Sequence, residues 1–210
     1  MSWISRIFLI VLIVTSSCIS KKKLISTKYY LIEAPSKEVK IENAVGKTSL
    51  KLEIGPVDVS PAYSSTRIVN RTRKNEIYYY SYHEWAILPK ISVQEIAKEY
   101  FRSTNFYAEV SERLFESRPD YKLAIHVPKL EISEVTGVPT AHLVVQFRYI
   151  AVESGQVVLL HSIDENKNLQ EKDLNMMAAA VSNLLWDSLI SMNQKIIEYH
   201  DKHQDTGSGN

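Results

Sequence analysis

The chain has 210 residues, 45% of them hydrophobic and 23% charged, an ordinary globular composition with enough length to bury a core. Of its 25 basic residues only Arg6 precedes Cys18, so the remainder balances the 24 acidic residues and removes any bulk electrostatic case for nucleic acid. Cys18 is the single cysteine, which excludes both an intrachain disulfide framework and a thiolate metal site.

Arg6 is followed by an apolar run from Ile7 to Val14, too short to cross a bilayer and suited to the apolar region of an export signal. Small residues Thr15-Ser16-Ser17 then lead into Cys18, and this arrangement resembles the lipobox of bacterial lipoproteins, with Thr15 where leucine is usual. Residues 1–17 are therefore expected to be a lipoprotein signal peptide, and 18–27 a lipidated cysteine and tether. Each buried acyl CH₂ contributes roughly 0.8 kcal/mol, so two or more chains anchor stably. Lys21-Lys22-Lys23 either touch anionic headgroups or belong to a solvated tether. Ile19 after the cysteine, rather than an acidic residue, points to sorting to the outer membrane.

Residues 28–200 read as one domain. Lys28 to Glu33 predicts a strand ended by Pro35, and about Val39 to Thr48 a loop. Leu50, Leu52 and Ile54 alternate with Lys51 and Glu53, the period of a strand with one buried face. After Gly55-Pro56, Val57 to Pro61 is an extended link. Arg67-Ile68-Val69 and Ile77-Tyr78-Tyr79-Tyr80 flank the polar corner Thr72-Arg73-Lys74-Asn75, which predicts a hairpin closed by Trp85, with Pro89 as a break. Ser92-Val93-Gln94-Glu95 has the form of a capping box, and Val93, Ile96, Ala97, Tyr100 and Phe101 recur at helical spacing to about Thr104.

Phe106 to Val110 is a short extended segment, and Pro119 in the turn Ser117 to Asp120 stops any helix from Leu114-Phe115. Leu123, Ile125 and Val127 alternate, and Leu130 and Ile132 resume in the opposite phase after Pro128, which predicts a bulge. Ala141 to Ala151 and Val157 to Ile163 form an antiparallel hairpin around Ser154-Gly155, with His161 opposite Arg148. Asp173 is a candidate N-cap for a helix to about Tyr199, with Leu174, Met177, Val181, Leu184, Leu185, Leu189, Met192, Ile196 and Tyr199 on one stripe. Residues 201–210 read as a disordered tail. The order predicts an α+β fold: a mainly antiparallel sheet with one short and one long C-terminal helix packed on it.

Several of these stretches carry a resemblance. Arg67, Arg71-Thr72, Asn75-Glu76-Ile77 and Trp85 keep a fixed spacing, preceded by Ile54-Gly55-Pro56-Val57-Asp58-Val59, with Tyr29-Tyr30-Leu31 before and Asp120-Tyr121-x-Leu123 after. The pattern resembles the ABC-type transport auxiliary lipoproteins, including the paraquat-inducible protein C lipoproteins, over nearly the whole chain. The resemblance implies a membrane-anchored, non-enzymatic auxiliary subunit of an envelope transport system for lipids or other hydrophobic molecules. Its implied partners are ABC transporter subunits or a mammalian-cell-entry-domain protein. Its implied place is the outer membrane facing the periplasm, and a homo-oligomer is compatible with it. The alternative is a free-standing lipid-binding envelope lipoprotein.

Catalytic, cofactor and metal motifs are missing from the sequence: no Gly-rich phosphate loop or nucleophile elbow occurs, and the six histidines are dispersed. His200 and His203 share a helical face near the C-terminus and read as solvated. The basic corner offers Arg67 and Arg71, at motif positions, as partner-binding candidates, while Arg73 and Lys74 suit a solvated tip paired with Glu76 and Glu84. Tyr78, Tyr80 and Tyr82 fall on one strand face and Tyr79 on the other; exposed they mark an interface, buried they fill space under a helix. Arg67, Arg71, Tyr78, Tyr80 and Trp85 are thus the candidate docking residues, and Cys18 the lipidation site.

Overall fold

The structure, a computed structural model, describes residues 26–35, 48–112 and 118–205. The expected signal segment with Cys18, most of the loop before Thr48, Leu114-Phe115 and the last tail residues lie outside the described residues.

The molecule is built along one strand, β7 (Tyr121–Ser133), whose 13 residues give it two long edges. On one edge runs β8 (Thr140–Ala151), antiparallel, and beyond it β9 (Gln156–Asn168), also antiparallel and outermost. Along the other edge three strands lie in file, each parallel to β7. β2 (Lys51–Ile54) pairs with Tyr121 to Leu123, β3 (Asp58–Val59) with His126 and Val127, and β4 (Arg67–Arg73) with Ile132 and Ser133. β4 turns back antiparallel into β5 (Glu76–Trp85), which pairs in parallel with β1 (Lys28–Tyr30), and β6 (Glu109–Ser111) pairs in parallel with β2.

The sheet is mixed: the long β7–β8 and β8–β9 pairings and the β4–β5 hairpin are antiparallel, as the sequence predicted, while the short pairings of β1 with β5, of β2 with β6, and of β2, β3 and β4 with β7 are parallel. Alternation reveals that a strand has one buried face, but it carries no information about the direction of its neighbour. Parallel pairing needs a long crossover, and the chain between β4 and β7 supplies one through β5, α1 (Pro89–Ser103) and β6.

The motif glycine has a packing role here. Gly55 N–H donates to Leu123 O at 2.9 Å, and a Cβ at Gly55 would press on that same carbonyl at 3.3 Å. Val57 and Val59 beyond it point into the core, so Ile54 to Val59 works as one interrupted strand laid along β7. The predicted phase change is present: the β7–β8 register slips between His126 and Lys129, around Pro128. The β8–β9 turn closes at the pair Ala151–Gln156, centred one residue earlier than expected, and a bulge between Tyr149 and Ile150 recovers only part of that offset, so His161 sits opposite Phe147 instead of Arg148.

Both helices cover one face of the sheet. α2 (Leu174–Asp205) lies on β8 and β9, and α1 packs against α2 and β6. The Asp173 carboxylate caps α2 by accepting the Met176 N–H at 2.8 Å, as the sequence predicted. Met177, Val181, Leu185, Leu189, Met192 and Ile196 are all buried against Leu143, Val145 and Phe147 on the sheet side of the core. The helix continues past Tyr199 to Asp205. α1 begins a turn earlier than the capping-box reading placed it. Pro89 occupies the first turn, where its missing N–H costs nothing and its fixed φ is already helical, and Ser92 is buried within the helix. Pro89 starts this helix instead of breaking the chain.

His200 is also placed differently. It is buried, with Nε2 3.0 Å from Tyr149 Oη, while Tyr107 Oη donates to Tyr149 at 3.1 Å. Tyr121 stacks on Tyr149 with centroids 4.5 Å apart, closing an aromatic end to the core. The solvated reading of His200 failed because a sequence cannot reveal that α2 passes over β8 at that level. Burial holds the imidazole below its ordinary pKa, with His203 adding to the effect.

Candidate interface at the β4–β5 hairpin

The two faces of the hairpin do different work. Alternation along β4 sends Val69 and Arg71 to one side and Asn70 to the other, because successive side chains on a strand point oppositely.

On the side away from the helices, Arg71 reaches a fully buried carboxylate. Its Nε donates to Glu131 Oε1 at 2.6 Å, and its second guanidinium nitrogen donates to Tyr63 Oη at 2.9 Å. Tyr63, on the 3-10 turn Pro61–Tyr63, donates its own proton to Glu131 Oε2 at 2.6 Å. Burial, then the bond to Glu131, push the Tyr63 hydroxyl up to about 12. His142 flanks the group, with Nε2 2.7 Å from Asp164 Oδ1 and Nδ1 3.8 Å from Glu131 Oε1. Both oxygens of Glu131 are thereby engaged. A buried carboxylate is tolerable only on such terms. Arg71 also donates to the Lys74 carbonyl at 3.0 Å, fixing the hairpin corner. Beside it the Arg67 guanidinium lies 3.9 Å over the Tyr79 ring, and Tyr79 Oη donates to the Ala62 carbonyl at 3.2 Å.

On the other side, Asn70 is fully buried; its Nδ2 donates to Tyr78 Oη at 2.6 Å and to Glu134, and Tyr80 Oη lies 3.3 Å from the same nitrogen. Lys172, just before α2, pairs with Glu134 at 2.5 Å and donates to Tyr78 Oη at 2.8 Å. The Tyr78 and Tyr80 rings stand 5.5 Å apart, and the Tyr80 edge meets His83. Burial, then the bond with Tyr78, raise the Tyr80 hydroxyl above its ordinary range.

Of the candidates named from sequence, Arg67 is exposed, Tyr78 is 38% exposed and Tyr80 is half-buried. Arg71 faces inward to Glu131, and Trp85 is 2% exposed, a core residue beneath the hairpin. Tyr82 leaves the row of tyrosines. Between the pairs Arg67–Glu84 and Val69–Tyr79 the second strand carries extra residues, and Tyr82 there takes a φ of 61° and turns to solvent. Arg73 meets Glu76 at 3.7 Å across the exposed turn, as the solvated-tip reading expected, whereas Glu84 accepts from Thr66 at 3.0 Å. Asn70, Glu131, Glu134 and Lys172 were missed. Only Glu131 left a trace, as a lone carboxylate between the apolar Leu130 and Ile132.

Among the described residues no helix is long and apolar enough to cross a membrane, and no group of three or more potential metal ligands occurs. No curated protein matches the chain. Among solved structures, a DUF330-family protein from Xanthomonas campestris is 18% identical, with a TM-score of 0.72, covering 85% of this chain and 99% of its own. A hypothetical protein from Chlamydia trachomatis is 8% identical, with a TM-score of 0.53, covering 72% and 98%. Such likeness bears on the fold alone. A family model described as the ABC-type transport auxiliary lipoprotein component matches residues 30–189, a span that contains the hairpin, its Glu131 and Asn70 supports and the first half of α2. The chain belongs to the family of ABC-type transport auxiliary lipoproteins.

Proposed function

We propose that this auxiliary lipoprotein is a non-enzymatic subunit that docks a transport partner on the β4–β5 hairpin. Cys18 anchors it by lipid to the outer membrane, residues 19–27 act as its tether, and residues 28–200 form one domain facing the periplasm. The partner is an ABC transporter subunit or a mammalian-cell-entry-domain protein that moves lipids or other hydrophobic molecules. One observation carries this reading. The family-motif hairpin is pinned from beneath by Arg71, Asn70 and Trp85, yet offers Arg67 and Tyr78 to solvent. Rigidly held Arg and Tyr side chains are the types that concentrate interface energy, because they lose little freedom on binding.

The test is co-purification of the partner with the full chain from detergent-solubilised membranes. Arg67→Ala combined with Tyr78→Ala should abolish partner recovery while circular dichroism stays unchanged. Full recovery with the fold intact would remove the hairpin as the docking surface.

A further inference from the structure

Two clefts next to β1 share a wall. The larger, about 870 Å³, runs between residues 28–35 and the first half of α2, where Ala178, Ala179 and Ser182 present small side chains. Tyr29 and Leu31 on its other wall are 64% and 41% exposed, large apolar groups left in water. The smaller, about 210 Å³, lies among Tyr80, His83, Lys172 and the start of α2. Lys28 and Tyr30 line both.

We propose that these adjoining clefts bind one membrane phospholipid, its acyl chain along the larger and its phosphate at Lys28 beside the smaller. The proposal rests on the auxiliary-lipoprotein reading above and adds a ligand site to it. The larger cleft has Tyr29, Leu31, Ala34 and Pro35 on one wall together with Glu33, and alanines among Asn and Ser side chains on the α2 wall; such a partly apolar slot that continues into a cationic, hydroxyl-bearing recess has the polarity pattern of an anionic amphiphile. Lys28 has no ion-pair partner among the described residues. Lys172 uses two of its three N–H donors on Glu134 and Tyr78 and keeps one. The one carboxylate in the recess, Asp173, is engaged as the cap of α2. Chain length points to the same ligand. Ten residues lead from Cys18 to Lys28, so even fully extended they hold the cleft within about 36 Å of the anchored cysteine.

The test uses the full-length lipoprotein reconstituted in vesicles of phosphatidylethanolamine and phosphatidylglycerol. A photoreactive amino acid replaces Leu31 or, as a control on the helix-free sheet face, Arg148; after irradiation, intact-mass spectrometry identifies adducts. Phospholipid adducts are expected at position 31, with labelling at 148 far lower. Ala179→Trp, which fills the larger cleft from an exposed helix position, should reduce labelling at 31 to the control level, and Lys28→Glu should lower it severalfold. Equal labelling at both positions, labelling at 31 that survives Ala179→Trp, or an adduct with protein in place of lipid would overturn the proposal. Partner co-purification separates the two readings. Lost lipid adducts with the partner retained would reject the clefts alone, and a lost partner site with adducts retained would reject the docking surface alone.

Discussion

Arg71 Nε stands 2.6 Å from Glu131 Oε1, and the carboxylate it serves has no exposed surface. Removing one member of such a pair leaves an uncompensated buried charge. Arg71→Ala should therefore destabilise the domain by about 3–5 kcal/mol. Replacing both residues, Arg71→Met with Glu131→Leu, should restore most of that loss. Urea unfolding of the single and double variants checks it, and a single variant as stable as the parent would contradict the role given to this pair.

Leu185 is the buried midpoint of the α2 stripe. Leu185→Ala should cost about 2–5 kcal/mol, the transfer term plus the cavity left under the helix. The unfolding midpoint should move while the denaturant slope holds. A shift of a few tenths would mean that the stripe is not packed on the sheet.

The acid side of the stability curve should carry the mark of His200. Its pKa lies below the ordinary value because burial disfavours the imidazolium, and His161 is shifted the same way, first by burial and then by Lys195. With the folded pKa depressed, the unfolded chain binds more protons in the window below about 6.5, so stability is full above it and falls as pH drops. Tyr107 donates to Tyr149, which leaves the Tyr149 proton for His200 Nε2, and protonating that nitrogen forces the chain of bonds to reverse. His200→Gln should flatten the slope between pH ~7 and ~5. An unchanged slope would place the pH sensitivity elsewhere.

The proposed lipidation at Cys18 makes its own prediction. Cys18→Ser should leave the precursor unacylated and uncut by lipoprotein signal peptidase, as metabolic labelling with a fatty acid would detect. Acyl labelling equal to the parent's would exclude Cys18 as the attachment point.

Local pattern carried a good deal of this fold. The phase change at Pro128, the Asp173 cap and the α2 stripe were legible because each is a relation among residues close in sequence. So were the two hairpins, β4 with β5 and β8 with β9, but the parallel partners were not. Leu52 and Ile54 alternate identically whether their neighbour is parallel or antiparallel, and they lie against Tyr121 to Leu123, far along the chain. The candidate site was legible only on its outer side: Arg67 and Tyr78 could be named from the hairpin pattern. The inward role of Arg71 depends on a carboxylate three strands later, and that of Asn70 on Glu134 and Lys172 beyond β7.

A central strand that arrives so late in synthesis constrains how the chain can fold. β2, β3 and β4 all wait for β7, and before Tyr121 to Ser133 emerges the pairings available among the described residues are the β4–β5 hairpin and the three-residue parallel contacts of β1 with β5 and β2 with β6. A lone hairpin is marginal in water, and contacts of such long sequence separation form slowly. The nascent N-terminal half therefore has no stable structure to commit to. On the export route proposed above, where a chain passes its channel as an open polypeptide, that delay keeps it threadable until synthesis is past its midpoint.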